Sequence, residues 1–314
     1  MIGDGSPKRK IDRAIPFLRL GTGCLLLATC LFFIFQSLAS DSLNVLIEKQ
    51  SGFSLTPQVQ ESQRSALRSR LGLNQSLGKQ LGSFYHQLVT GQMGVSLWTG
   101  QSVGKLIVKQ AGITSLLALG SLLFFILVGT VWGFLQALLG PSSSAPGFFL
   151  KSLNTLFLCF PGFALASALF RFTHSISPEF LALIIYTAVT SPTLASLVRD
   201  RLLEEESKTY AQAAKARGLS RFLLLRKHLL APCVPTLLSL IPWWWSAYVG
   251  TSIVIEPLFR ISGLGLLAFE AFRNQDPNVL LGISLCFGWV RLLLGSIRDL
   301  FFLRFSSSGR GTVS

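Results

Sequence analysis

The amino-acid sequence predicts an all-α membrane protein with six transmembrane helices and one polar helix on the cytoplasmic side, and three observations support this. Half of the 314 residues are hydrophobic and only 13% are charged, whereas about a quarter of the residues in soluble domains are charged. The mean hydropathy is +0.54, and the apolar residues are gathered in runs long enough to cross a bilayer. The basic residues stand between these runs.

The formal net charge of +14 has two interpretations. A nucleic-acid-binding protein could carry such a charge, because basic patches bind phosphate backbones. We favour basic loops held against anionic lipid, since the basic residues separate apolar runs. The cysteines lie apart without a Cys-x-x-Cys pair, so the sequence predicts neither a disulfide framework nor a metal site. They are Cys24, Cys30, Cys159, Cys233 and Cys286.

Residues 1–19 are predicted to form a basic cytoplasmic N-terminus, and the uncharged run 20–40 is the first predicted span. A basic segment followed by an apolar run and Ser37-Leu38-Ala39 also resembles a cleaved signal peptide. The run is about 20 residues long, which exceeds a usual signal core and favours a retained helix. Residues 41–109 are polar and carry both signs of charge, and we expect an external region with some helix.

Residues 110–303 are predicted to form a core of five spans, interrupted by a cytoplasmic loop at 199–233 and followed by a cytoplasmic tail at 304–314. The segment Pro141–Pro146 separates two spans. We expect Pro161-Gly162 to lie inside one span, because neighbouring helices can satisfy the freed backbone groups. Pro192 is predicted to break another span. The five spans are placed at about 110–140, 148–170, 180–198, 229–255 and from 278 onward.

Six spans would place both termini on the same side of the membrane. Five basic residues precede the first span, eight lie in 199–228 and four lie in 291–314. The positive-inside rule therefore predicts that both termini and the 199–233 loop face the cytoplasm. The long region 41–109 can be external although it is basic, since long loops cross regardless of charge.

The stretch Tyr210–Gly218 in this loop is predicted to form a short helix that ends at glycine. Its alanines are strong helix formers with little side-chain bulk. Lys215 and Arg217 would complement the negative end of the helix dipole, and Gly218 suits a left-handed C-terminal cap. A solvated loop helix would explain this pattern. Small side chains also let a partner protein approach closely, which is the functional interpretation.

The flanking residues extend this prediction on both sides. Glu204 and Lys208 stand four apart, in the favourable order for a helical ion pair. Ser220 is expected to cap a second helix over residues 221–230, which Pro232 would end.

The loop resembles the cytoplasmic signature of binding-protein-dependent ABC permeases, and more narrowly the first, B-type permease subunit of the oligopeptide, dipeptide and nickel group. The residues that carry the resemblance are Tyr210–Gly218 with Leu219, His228 and Pro232. Thr209 departs from the pattern, because an acidic residue usually precedes the tyrosine.

Further stretches resemble the same subfamily, and the resemblance covers about Leu71 to Asp299. They are Leu71–Leu73, Gly91–Leu97, Val254–Phe259, Gly263–Gly265 and Asp276-Pro277. Gln92 stands where aspartate is usual and Ser262 where proline is usual. Arg291 and Gly295 fall where polar or acidic residues are common.

The resemblance implies the fold of an ABC type I importer permease, in a bacterial inner membrane. It implies that the 208–230 loop docks on a cytoplasmic ABC ATPase. The contacts would come from Tyr210, Ala213, Ala214, Lys215, Arg217 and Gly218. The implied partners include a second permease subunit in a heterodimer, an external solute-binding protein and the lipid bilayer, but no nucleic acid. Oligopeptides or dipeptides are the expected substrates, and nickel or another small solute is the alternative.

The chain has no Gly-x-x-x-x-Gly-Lys-Ser/Thr motif, so ATP and Mg²⁺ are expected in the partner ATPase and no cofactor, metal or catalytic residue in this chain. A membrane-embedded enzyme is the rival class, and it would need paired acids, histidines or a nucleophile beside a base. A non-transporting anchor protein would fit the topology but would leave the loop helix unexplained.

Trp243, Trp244 and Glu256 are candidate pathway or gate residues. Tryptophan commonly marks a membrane interface, but a fifth span that starts near Val234 would carry these rings deeper. Glu256 stands beside Pro257, and it is either an interfacial carboxylate or a group that contacts a gate or a substrate amine.

Overall fold

The computed structural model describes residues 7–51, 75–139, 145–226 and 231–308, and helices account for nearly all of this part of the chain. The only bridge of β type recorded in these ranges joins Val95 and Ser102. The helices are α1 (Pro7–Ser51), α2 (Leu77–Thr90), α3 (Val103–Leu138), α4 (Ala145–Cys159), α5 (Gly162–Phe170), α6 (Pro178–Glu206), α7 (Thr209–Ala216), α8 (Arg221–Leu224), α9 (Val234–Phe259), α10 (Leu264–Arg273) and α11 (Pro277–Ser308).

Five of these helices are long and apolar enough to cross a membrane, and the count rises to six if the bent pair α4 and α5 forms one span. The five candidate spans lie at Ile15–Ser37, Val103–Leu138, Pro178–Glu206, Val234–Phe259 and Pro277–Leu303. The all-α polytopic fold predicted from the sequence is confirmed. The first predicted span, 20–40, lies inside the longer helix α1.

The two predictions about proline have different outcomes. Pro161-Gly162 lies where α4 and α5 meet at 89°, and its place inside one span stays a prediction, because this bent pair is either one broken span or a re-entrant loop. Pro161 takes the N-cap position of α5 with an extended backbone, and its carbonyl accepts the first amides of that helix. Pro192 does not break its span, since α6 continues through it. The side-chain amide of Asn154 on α4 donates to the Pro192 carbonyl at 3.3 Å and joins α4 to α6 at this point.

Helices α3 and α6 form the most closely packed pair, and glycine makes the approach possible. A Cβ on Gly133 would lie 2.5 Å from the carbonyl oxygen of Ala195, and one on Gly129 would lie 2.7 Å from the side chain of Leu194. Any larger residue at either position would force the helices apart. The two helices therefore behave as one packed unit.

Helix α9 completes the main core with aromatic side chains. Tyr186 of α6 packs on Tyr248 of α9 at 4.8 Å between ring centroids, and Trp244 stacks on Tyr248 at 5.6 Å. A second apolar cluster joins α3, α10 and α11 through residues such as Val103, Leu267 and Ile283. Helix α1 packs along α11 on the outside.

The bundle has two ends that matter for function. The charged-loop end holds residues 199–226 and 231–233, and α3 finishes there, because the Leu138 carbonyl accepts from Arg221. The opposite end holds residues 91–102 and 260–276, where α3 begins and α9 finishes. The segments Leu71–Leu73, 141–144 and His228 named above lie outside the described residues, as does the last part of the predicted 221–230 helix.

Candidate functional site

Helix α7 in the charged loop corresponds to the helix predicted there, and it ends in the predicted glycine cap. It runs from Thr209 to Ala216, and Gly218 follows with a φ of 83°. The amide of Gly218 donates to the Lys215 carbonyl at 2.9 Å, and the amide of Leu219 donates to the Ala214 carbonyl at 3.3 Å. These two bonds make a Schellman motif, which needs a left-handed residue where glycine stands.

Helix α7 buries one face and exposes the other. Ala211 is fully buried and Ala214 is half-buried against the main core. The other predicted contact residues are exposed, and they are Tyr210, Ala213, Lys215, Arg217 and Gly218. The exposed face therefore combines the small residues Ala213 and Gly218 with the larger side chains of Tyr210, Lys215 and Arg217. The contact with an ATPase stays a prediction.

Glu205, at the end of α6, is buried and holds the start of α7. Its carboxylate accepts from the hydroxyl of Tyr210 at 2.7 Å and from the ammonium of Lys208 at 2.6 Å, and Arg201 lies 3.5 Å away. Partial burial, followed by this bond to Glu205, raises the pKa of Tyr210 to about 12. The Tyr210 hydroxyl therefore remains a donor at physiological pH.

Glu206, the last residue of α6, holds the end of α7 and the start of α8. Its two carboxylate oxygens accept from Nε and Nη2 of Arg221, each at 3.0 Å. The ammonium of Lys215 lies 2.7 Å from the same carboxylate. Arg221 also donates from Nη1 to the Leu138 carbonyl at 3.4 Å. The sequence reasoning did not single out Glu205 or Glu206, and only their position before the signature loop could have indicated them.

The predicted ion pair between Glu204 and Lys208 is wrong. Glu204 pairs with Arg201 at 2.6 Å, and Lys208 pairs with Glu205. Helix α6 ends at Glu206, so Lys208 no longer follows its helical register and takes the N-cap position of α7 instead. Ser220 does stand at the N-cap of α8, but its side chain makes no capping bond there.

The three tryptophans of α9 lie in different surroundings. Trp244 is 2% exposed and packs among aromatic rings, whereas Trp243 is 38% exposed. The indole of Trp245 donates to the Phe287 carbonyl at 2.9 Å. Trp244 and Trp245 thus tie α9 to its neighbours inside the bundle, and a pathway role for Trp243 or Trp244 stays a prediction.

Glu256 is fully buried near the end of α9, so it is not an exposed carboxylate at a membrane surface. One oxygen accepts from the amides of Gly265 at 2.6 Å and Leu266 at 3.1 Å, and the other accepts from the hydroxyl of Thr114 at 3.2 Å. Thr114 in turn accepts from the amide of Leu264 at 2.7 Å. Together they satisfy the first amides of α10, where a helix dipole favours negative charge.

Asp276 plays a similar part just before α11. It is 1% exposed and accepts from the hydroxyl of Ser96 at 2.6 Å and the amide of Trp98 at 3.2 Å. Asn278 donates to the Val95 carbonyl at 2.9 Å. The segment around residues 95–98 is thereby attached to the start of α11.

Among the described residues, no group of three or more histidine, cysteine, aspartate or glutamate side chains is arranged to hold a metal ion. Four of the buried acids are Glu205 and Glu206 at the charged-loop end and Glu256 and Asp276 at the opposite end. Their arrangement holds helices in place rather than presenting a nucleophile beside a base.

Comparison with known proteins gives a family match over more than half of the chain. Residues 126–308 match the family model described as "Binding-protein-dependent transport system inner membrane component". A candidate peptide permease protein of Brucella ovis is 27% identical over 307 residues, which is 90% of this chain and 94% of that protein. The nickel import system permease protein NikB of Staphylococcus aureus is 26% identical over 254 residues, covering 78% of this chain and 77% of that protein.

A solved structure supports the fold. The methionine ABC transporter MetNI in an inward-facing conformation matches with a TM-score of 0.55 at 18% identity, over 63% of this chain and 95% of the matched chain.

Proposed function

Since this chain belongs to the family of inner-membrane components of binding-protein-dependent transport systems, we propose that it is the permease subunit of an ATP-driven importer for oligopeptides or dipeptides. It is a multi-pass protein of the bacterial inner membrane with the fold of a type I importer permease. A peptide substrate is supported by relatives that are named as candidate peptide permeases and that this chain matches over nearly its whole length. Nickel is the second candidate, because another relative is named as a nickel import permease.

The capped helix α7 carries the proposal for how transport is driven. Its exposed face, which includes the small residues Ala213 and Gly218, suits docking in a cleft of a separate cytoplasmic ATPase, which would bind ATP and Mg²⁺. The contact would move α7 when two ATPase subunits close on ATP, and it must differ between two states of the transporter to bias them. This assignment places the charged-loop end and both termini in the cytoplasm, as the distribution of basic residues favours.

The remaining partners follow from the same assignment. One permease subunit would supply half of a translocation pathway, so a second permease subunit would complete it in a heterodimer. An external solute-binding protein would deliver the solute to the opposite end of the bundle. Residues 41–109 and 257–277 include the surfaces available there.

The test is the substitution Gly218→Ile. Gly218 has a φ of 83° and open space around its Cα, so isoleucine would strain only the backbone of the cap. We expect uptake and co-purification of the ATPase to fall together, while insertion into the membrane survives. Gly100→Ile is the matched control for co-purification of the ATPase, which it should leave unchanged, because Gly100 has a φ of 68° and equally open surroundings at the end away from the ATPase.

Unchanged uptake in the Gly218→Ile protein would contradict the coupling role. The substrate is tested separately, by uptake of labelled peptides and of nickel into cells that carry the complete set of subunits. Accumulation of nickel without accumulation of any peptide would overturn the peptide assignment and leave the importer assignment intact.

A further inference from the structure

The geometry of the charged loop points to Glu206 and Arg221 as the positioning residues that fasten helix α7 to the α3–α6 pair, so that a movement of α7 is transmitted to that pair. This inference rests on the proposed function. Neither residue belongs to the exposed face of α7 that would meet the ATPase. Both act behind it, on the side of α7 that faces the bundle.

The carboxylate of Glu206 makes contacts at two places along the loop. Lys215, in the last turn of α7, lies 2.7 Å from it, and Arg221, the first residue of α8, donates two bonds at 3.0 Å. A two-pronged guanidinium–carboxylate pair fixes direction as well as distance. Because Glu206 is only 9% exposed, water competes poorly for these bonds.

Glu205 holds the other end of the same helix. It accepts from Tyr210 in the first turn of α7 and from Lys208 at the N-cap. The last two residues of α6 therefore hold α7 at both ends. A helix attached at one end could rotate about that attachment, whereas a helix attached at both ends moves together with the residues that hold it.

Arg221 extends the attachment from α6 to α3. Its Nη1 donates to the carbonyl of Leu138, the last residue of α3, where helix carbonyls lack partners within the helix. Phe222 packs edge-on against Phe134 of α3, with ring centroids 5.8 Å apart. The guanidinium thus joins the ends of α3 and α6.

The α3–α6 pair is suited to receive such a movement as one body. The contact of Gly133 with the Ala195 backbone leaves no room for relative sliding without a clash. A displacement of α7 would therefore turn both helices together. Tyr186 and Trp244 would pass it on to α9, because their aromatic cluster lies between α6 and α9.

The experiment measures the labelled peptide transported per ATP hydrolysed by the complete transporter, purified through a tag on this chain and reconstituted in vesicles. In Glu206→Gln the side chain keeps its size, but a neutral amide replaces the carboxylate that pairs with Lys215 and Arg221. We expect the ATPase to co-purify and ATP hydrolysis to persist, while the transport per ATP falls about tenfold, which is the scale of one lost charged hydrogen bond.

The matched control is Glu204→Gln. Glu204 precedes Glu206 by two residues, but its side chain is 57% exposed and pairs only with Arg201 in the described residues. We expect its transport per ATP to equal that of the unmodified protein. The double variant Glu206→Gln with Arg221→Gln should be less impaired than the two single losses combined, because both changes remove the shared bond between Glu206 and Arg221.

A normal ratio of transport to ATP hydrolysis in Glu206→Gln would overturn the inference. If that variant does not assemble, Arg221→Lys replaces it, since lysine keeps the charge and loses the two-pronged geometry. An assembled Arg221→Lys transporter with a normal ratio would equally overturn the inference. If the unmodified complex itself shows no ATP-dependent uptake of peptide or nickel, the proposed function fails, and this result is distinct from a defect confined to the variants.

Discussion

Buried carboxylates stabilise both ends of the bundle, but the groups that neutralise them differ. At the charged-loop end, Glu205 and Glu206 meet the cationic groups of lysine and arginine side chains. At the opposite end, Glu256 and Asp276 meet backbone amides and hydroxyl groups. Within the described residues, no cation forms an ion pair with either of these two acids.

The two ends of the bundle differ in how readily their contacts can change during transport. A lysine or arginine on a long side chain can exchange one carboxylate for another, for example on a docked partner, at a small cost where it is exposed. A backbone amide cannot leave its acceptor unless the whole helix moves. The opposite end therefore keeps α10 and α11 in place, whereas at the charged-loop end the exposed cations Lys208 and Lys215 can exchange partners beside the more buried pair of Glu206 and Arg221.

Removal of the Glu256 carboxylate should have the largest effect on stability. Glu256→Ala would leave the amides of Gly265 and Leu266 and the hydroxyl of Thr114 buried without their acceptor. Each stranded donor costs about 1–3 kcal/mol, so the loss should exceed about 3 kcal/mol in total. The measurement is thermal unfolding of the purified protein in detergent.

Two further variants make this test sharper. Glu256→Gln keeps a carbonyl acceptor, so its unfolding temperature should lie between those of Glu256→Ala and the unmodified protein. Glu270→Ala removes an exposed acid from α10 and should have almost no effect. If Glu256→Ala were as stable as Glu270→Ala, the backbone amides would not need the carboxylate, and the contrast between the two ends would fail.

A crowding test at the same end should give a smaller loss. In Gly265→Ala the new methyl carbon would lie 2.5 Å from the Ser252 carbonyl oxygen and 2.9 Å from Glu256, so α9 and α10 must separate. Overpacking of this kind costs about 1–3 kcal/mol. Gly250→Ala is the control on α9, because no atom lies within 4 Å of its added methyl group. Equal unfolding temperatures for the two variants would show that the close contact is not required.

Much of the fold could be predicted from the sequence because the bilayer constrains it strongly. Uncharged runs of about 20 residues must form helices in lipid, so the positions of these runs predicted the positions of the spans. The error in the fold concerned Pro192, because the sequence alone does not show whether a proline breaks a helix or is tolerated inside it. Pro192 stays within α6, while Pro161 starts a new helix at 89° to α4.

The site was predicted less completely, for a physical reason. The cap of α7 depends on local sequence, so Gly218 could be predicted from composition and order. The partners of Glu206 and Glu256 depend on how separate elements pack, whether they are near in the chain, as for Arg221 with Glu206, or far apart, as for Thr114 with Glu256. A single sequence contains no signal for such pairs. The rule for helical ion pairs four residues apart therefore predicted Glu204 with Lys208, whereas Glu204 pairs with Arg201 and Lys208 pairs with Glu205.

The smallest predicted effect concerns the hydroxyl of Tyr210, at the charged-loop end. Tyr210→Phe removes one bond to Glu205 but leaves Lys208 and Arg201 on that carboxylate. Because Tyr210 is half exposed, water can replace part of the lost bond, and we expect a cost of about 1 kcal/mol or less. Hydrogen exchange of the α7 amides should speed up by a factor of about five or less at pH 7.

The pH dependence of this bond has a definite sign. The pKa of Tyr210 is raised to about 12 in the folded protein, whereas an unfolded tyrosine has a pKa of about 10. The bond's contribution to stability is therefore fully present below about pH 10 and is lost as the pH rises toward 12. The difference in exchange between Tyr210→Phe and the unmodified protein should be the same at pH 7 and pH 9. Tyr85→Phe, which removes a hydroxyl on α2 that contacts Thr29 of α1, should leave the α7 amides unchanged. A loss of several kcal/mol in Tyr210→Phe would mean that contacts at the charged-loop end are as fixed as those around Glu256.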